Sequence, residues 1–223
     1  VIAATGLRWI LTLLFAVSAV HGVWRAVLPG TTAAARVDHA LHAAMGVLMA
    51  VMAWPWGMDL PTGPQVALFS AGALWFLVTA PFRRPDGGTR RGALLTAGPH
   101  VLMMAAMAWM VAAMSSSGAM AGGSGGGGME GMDMGDMSGL ATMSLSGTGP
   151  RLVAGVFAAA LAWTGLAWLA RAFDRARALR PAAGPGVTVA AVTAPDDGAA
   201  VALGLGCHAA MALGMAVMCV LLV

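Results

Sequence analysis

Six apolar runs, at about residues 7–28, 39–56, 65–81, 93–114, 151–171 and 199–223, leave little of the chain to fold outside them. Each is close to the roughly 20 residues that a helix needs to cross the hydrocarbon core of a bilayer. Only 9% of the 223 residues are charged and 59% are hydrophobic, with a mean hydropathy of +0.81, whereas a soluble domain carries about a quarter charged residues. Lipid offers the backbone no hydrogen-bond partner, so each run reads as a helix and not as an open strand. The expected fold is an all-α integral membrane protein of six transmembrane helices, three helical hairpins forming one bundle, with helices two, four and six at its centre. No room is left for a separate catalytic domain, and the chain does not read as an enzyme.

Charge orients this bundle. The connections after runs one, three and five, with their flanks, hold Arg25, Arg36, Arg83, Arg84, Arg90, Arg91, Arg171, Arg175, Arg177 and Arg180, ten of the twelve basic residues. Arg8 and Arg151 lie on the other side. The excess of arginine marks the cytoplasmic face, which places the protein in a bacterial cytoplasmic membrane with both termini and the 115–150 segment extracytoplasmic. Trp9, Trp54, Trp56 and Trp109 then fall near the outer boundary, and Trp24, Trp75 and Trp168 nearer the inner one, as interfacial tryptophans do. The first run follows Arg8 as a signal peptide would, but it continues through Trp24 without a clear small-residue cleavage site and is expected to stay as a helix.

Residues 115–150 are rich in Gly, Ser and Met, a composition that buries too little apolar area to offset chain entropy, and a flexible external loop is expected. Residues 172–198 combine arginines with Pro181, Pro185 and Pro195 and read as a cytoplasmic linker whose basic start lies against anionic head groups. Cys207 and Cys219 share one apolar run, twelve residues apart along a helix, which is too far for a bridge between them.

Lys, Asn and Tyr are absent and all twelve basic residues are Arg, the mark of a GC-rich coding sequence. That bias supplies Leu readily for apolar space, so 18 Met require another explanation. The methionines have a pattern. Run two places Met45, Met49 and Met52 after His42; run four places Met103, Met107 and Met110 after His100; run six places Met211, Met215 and Met218 after His208. All three read H-x2-M-x3-M-x2-M. At about 100° per residue these offsets fall within roughly 80° of the histidine, so one stripe of each helix carries one His and three Met. Met114 extends the second stripe. Recurrence in the even-numbered runs alone points to three ancestral hairpins.

Two explanations compete for the stripes. Methionine is a flexible filler of irregular core gaps, and a lone histidine in a bundle is often a hydrogen-bonded structural residue, which together make a structural or accessory membrane subunit. Alternatively, thioether sulfur is a soft, uncharged ligand that selects Cu(I) or Ag(I) over Zn(II), Mg(II) or Ca(II), and it sits in a bilayer without the cost of a buried carboxylate. On the topology above, the histidines lie in the inner half and the methionines lead outward. His21 of run one reaches the same level and His39 precedes His42 by one turn, so all five histidines are expected at one depth.

In the 115–150 segment, Met129, Met132, Met134 and Met137 are interleaved with Glu130, Asp133 and Asp136. A Gly-rich loop gives methionine nothing to pack against, and the acidic residues attract a cation. These methionines are therefore candidate copper ligands. The loop resembles the methionine motifs of eukaryotic high-affinity copper transporters and of bacterial periplasmic copper-resistance proteins. The spacings Met45-x3-Met49, Met103-x3-Met107 and Met211-x3-Met215 are similar to the M-x3-M of those transporters' pore helix. Over nearly its whole length, especially Gly6-Leu7-Arg8-Trp9 and Asp38-His39-Ala-Leu-His42-Ala-Ala-Met45, the chain resembles an uncharacterised actinobacterial family of multi-pass membrane proteins known as a domain of unknown function.

These readings converge on a membrane protein that binds Cu(I) or Ag(I) for transport, storage or delivery. Its expected partners are the lipid bilayer, the copper ion and another copper protein, and no nucleic acid. A b-type haem held by two of the five histidines is the other cofactor reading, and it leaves the methionine stripes unexplained. The absence of Lys removes a Walker A lysine, and the runs carry no carboxylate chain for proton coupling.

Overall fold

A computed structural model describes residues 5–82, 90–122, 148–178 and 197–222. The described chain is helical, with no strand among the described residues. Six α-helices follow one another: α1 (Thr5–Val27), α2 (Ala33–Met52), α3 (Thr62–Thr79), α4 (Arg90–Gly122), α5 (Thr148–Ala178) and α6 (Asp197–Val220). Short 3₁₀ turns at Pro55–Asp59 and Ala80–Phe82 finish the second and third apolar runs.

Helix boundaries depart from the hydropathy limits where local chemistry overrides it. α2 begins six residues before its apolar run because Thr32, extended at φ −64° and ψ 153°, accepts the Ala35 N–H with its side chain, and a run of alanines follows. It stops at Met52, ahead of Pro55, whose ring has no N–H to continue the ladder. α4 continues to Gly122 and α5 begins at Thr148, so the connection between them is shorter than the expected 115–150. Residues 123–147, and with them Met129, Met132, Met134 and Met137, lie outside the described residues. α5 likewise runs through the first residues of the expected 172–198 linker, and Arg175 and Arg177 occupy its last turn, where cations complement the helix dipole.

Five of the six helices are long and apolar enough to cross a membrane: Thr5–Val27, Thr62–Phe82, Thr96–Ser115, Thr148–Ala178 and Gly198–Val220. α2 falls short of that composition because Arg36, Asp38, His39 and His42 occupy its first turns. The exposed surface is apolar to match, with Ile10 61%, Val20 69%, Val156 69% and Trp163 78% exposed. An apolar exterior of this kind is compatible with a multi-pass membrane protein.

The helices pack as pairs, α1 on α2, α3 on α4 and α5 on α6. A second set of contacts places α1 also against α6, α3 against α2 and α5 against α4. Each odd helix thus sits between its own even partner and the even helix of another pair, a cyclic arrangement that turns α2, α4 and α6 inward. The core they enclose is built of methionine: Met45, Met49, Met103, Met107 and Met215 are fully buried, and Met52, Met110, Met211 and Met218 nearly so. α1 approaches α2 closely at two glycines. A Cβ at Gly22 would stand 3.0 Å from the His39 carbonyl oxygen, and one at Gly46 would stand 3.0 Å from that of Phe15.

At one end of the bundle Arg8, Trp9, Thr12 and Trp54 come together. Trp54 Nε1–H donates to Thr12 Oγ1 at 3.1 Å, the Trp9 and Trp54 rings meet edge to face at 5.1 Å, and the Arg8 guanidinium lies over Trp54 at 5.3 Å. Trp54→Phe keeps a ring but removes the N–H, and should cost about 1 kcal/mol. The expected result is a lower midpoint of thermal unfolding in detergent; an unchanged midpoint would show that the bond contributes nothing.

Candidate metal centre

At the level where the three stripes begin, His42 from α2, His100 from α4 and His208 from α6 form a triangle of imidazoles. Ring centroids lie 5.0 Å apart for His42 and His100, 4.7 Å for His42 and His208, and 5.2 Å for His100 and His208. One ring nitrogen of each lies within 4.8 Å of one of each of the others. Donors about 2.0–2.1 Å from a common metal lie about 3.3–3.6 Å from one another, so binding would draw the rings together.

Local helix geometry sets the tautomers of two of them. His42 Nδ1 lies 2.8 Å from the Asp38 carbonyl oxygen, and His208 Nδ1 lies 2.7 Å from that of Gly204. A carbonyl only accepts, so each Nδ1 carries the proton and each Nε2 keeps its lone pair, the arrangement common to metal-ligating histidines. The His42 Nε2 is buried without a hydrogen-bond partner. Such an atom costs about 1–3 kcal/mol when nothing satisfies it, and a metal would.

Aromatic residues cover two sides of the triangle. Phe76 of α3 stacks on His100 at 5.1 Å and 30° and meets His42 edge to face at 5.5 Å. Trp168 of α5 meets His100 at 5.4 Å and His208 at 5.2 Å. Neither side chain is marked by the sequence motif: Trp168 reads there as an interfacial tryptophan, and nothing in the pattern singles out Phe76. They enter because α3 and α5 are wedged between even helices. Behind His42, the Trp75 indole N–H donates to Asp38 Oδ1 at 2.9 Å and holds the carboxylate that begins α2's polar face.

The other expected ligands separate into groups. Met45, Met49, Met52, Met103, Met107, Met110, Met211, Met215 and Met218 all lie in the buried core beyond the histidines, and Met114 is half-buried against it. His39 lines a cavity beside the triangle. His21 lies next to Gly204 and Trp24, and its Nε2 is buried without a hydrogen-bond partner. Of five histidines expected at one depth, three meet and two flank them. The cavity, about 260 Å³, is bounded by all three triangle histidines and by Asp38, Phe76, Thr79 and Thr96 among others. It lies toward the end of the bundle that holds Arg25 and Arg36, opposite the methionines.

A family model described as "Domain of unknown function (DUF5134)" matches residues 34–222, a stretch that holds the whole triangle and every stripe. The uncharacterized proteins Mb0995 of Mycobacterium bovis and Rv0970 of Mycobacterium tuberculosis are each 42% identical to this chain over 109 residues, which is 49% of it and 50% of each of them. The chain therefore matches about half the length of these curated relatives. No solved structure matches it.

Proposed function

The chain belongs to the DUF5134 family, and we propose that it is a copper-handling protein of the bacterial cytoplasmic membrane, binding Cu(I) or Ag(I) for transport, storage or delivery. The observation that carries this reading is the convergence of His42, His100 and His208 at the foot of three buried methionine stripes. Three neutral imidazoles followed by thioethers suit a soft monovalent ion and cost little to bury. The membrane is part of the proposal: six spans, with the arginine-rich end in the cytoplasm, follow from the apolar outer surface and the charge asymmetry. α2, the helix whose apolar stretch falls short of a membrane span, has α1 and α3 as neighbours.

In this reading the segment around Met129, Met132, Met134 and Met137 captures the ion outside, the stripes pass it inward, and the histidine triangle receives it. A further copper protein then takes it from the cytoplasmic end. A haem between two triangle histidines fits poorly, because three rings at centroid distances of 4.7–5.2 Å leave no slot for a porphyrin plane between two of them.

One observation favours a second reading for the methionines alone. Burial of the stripe side chains in a continuous core is also what packing demands. Met49→Leu, Met107→Leu and Met215→Leu together keep volume and apolarity while removing sulfur. On the copper reading the triple variant folds but binds fewer Cu(I) ions, measured by competition with a soft chelator, and a strain carrying it loses its copper phenotype. Wild-type stoichiometry and phenotype in the folded variant would leave the stripes as packing and confine the ion to the histidines and the external segment.

A further inference from the structure

The two sides of the histidine triangle differ chemically. On one side lies the methionine core; on the other lies the cavity of about 260 Å³, to which all three imidazoles contribute and which no methionine lines among the described residues. Several polar groups on its wall are already engaged. Thr79 Oγ1–H donates to the Trp75 carbonyl at 2.7 Å and Thr96 Oγ1–H to the Gly92 carbonyl at 2.9 Å, while Asp38 Oδ1 accepts from Trp75. Asp38 and His39 line the cavity, yet neither joins the set of donors within 4.8 Å that the three histidines form. The remaining wall near the rings is small or apolar, with Phe76, Ala80, Ala93 and Ala97.

Three histidine ligands with a vacant fourth position are the arrangement of metal sites that take an exogenous ligand, whereas structural sites close all four positions with protein. The volume is several times the roughly 30 Å³ of one water, enough for a diatomic molecule or a small thiol. We propose that Cu(I) on the histidine triangle keeps one coordination position open toward this cavity and accepts there a small soft donor entering from the arginine-rich end. The inference rests on the copper reading and adds the ligand by which the ion exchanges. A thiol-class donor bound there would make a fourth bond before a histidine bond breaks, so the ion need not pass through a two-coordinate state in a low-dielectric interior.

Carbon monoxide is the probe, since it binds three-coordinate Cu(I) and reports through its own stretching band. The full chain in detergent, loaded anaerobically with Cu(I), should show a single infrared C–O band equivalent to the copper held by the triangle, absent from His100→Ala. Ala97→Phe and Ala93→Leu fill the cavity without touching a ligand, and either should lower the ratio of adduct to triangle-bound copper by about tenfold or more. His39→Ala should leave the band in place. Copper bound through the histidines without a carbonyl adduct would overturn the inference while sparing the copper reading. So would an undiminished adduct in both filled variants, or one that emerges only in His39→Ala. Failure of the histidines to hold Cu(I) at all would overturn both.

Discussion

Alanine at His42, His100 and His208 together is expected to remove about one tightly held Cu(I) or Ag(I) per chain, read as lost chelator competition and lost metal after gel filtration. Each single replacement leaves two imidazoles and should weaken binding by about a hundredfold or more, equivalent to about 2.8 kcal/mol at 1.4 kcal/mol per decade. Losses this large come from removing one of three donors that act on one ion, so the singles and the triple should be far from additive. Imidazole binds metal only when neutral, and histidine ordinarily titrates near pH 6.5. Acidification that protonates the imidazoles should therefore empty the triangle while leaving thioether sites loaded, since methionine does not protonate. A triple variant that holds wild-type metal at its tightest site would remove the triangle from any copper path.

Gly22→Leu should strongly disturb the α1–α2 contact. A Cβ there meets the His39 carbonyl oxygen at 3.0 Å and the Ala43 nitrogen and Cβ at 3.2 Å. These are largely main-chain atoms of α2, which cannot swing aside as a side-chain tip would, so α1 and α2 must separate. Overpacking at a helix contact costs about 1–3 kcal/mol, and the additional Leu atoms push toward the top of that range. Because Ala43 adjoins His42, the displacement also moves one corner of the triangle. The expected result is a lower unfolding midpoint in detergent together with weaker Ag(I) binding. Gly6→Leu, where nothing lies within 4 Å of the added Cβ, serves as the matched control. Equal midpoints for the two variants would refute the close approach of α1 to α2.

Much of this architecture is legible in the residues. The apolar runs place α1, α3, α4, α5 and α6 to within a few residues at most of their ends, because a helix that must satisfy its own backbone has a length set by hydropathy. Where polar chemistry takes over, the limits slip. α4 and α5 extend beyond their apolar stretches, since nothing in a string of Ser, Gly, Arg and Ala forces a helix to stop at the edge of an apolar run. The burial of the stripe methionines also follows from the pattern, which gives each even helix one distinctive face.

The helical period alone determined that His42 shares a face with Met45, Met49 and Met52, and that α4 and α6 repeat this arrangement. Periodicity is a property of one helix, and it carries no distance to another. Which three of five histidines meet was decided by the tertiary packing: α1 and α2 approach at Gly22 and Gly46, and the odd helices wedge between even ones. The same packing inserted Phe76 and Trp168 against the rings and opened the cavity on the far side from the methionines. Those contacts depend on the separation and rotation of whole helices, quantities summed over many side chains, and no single motif encodes them.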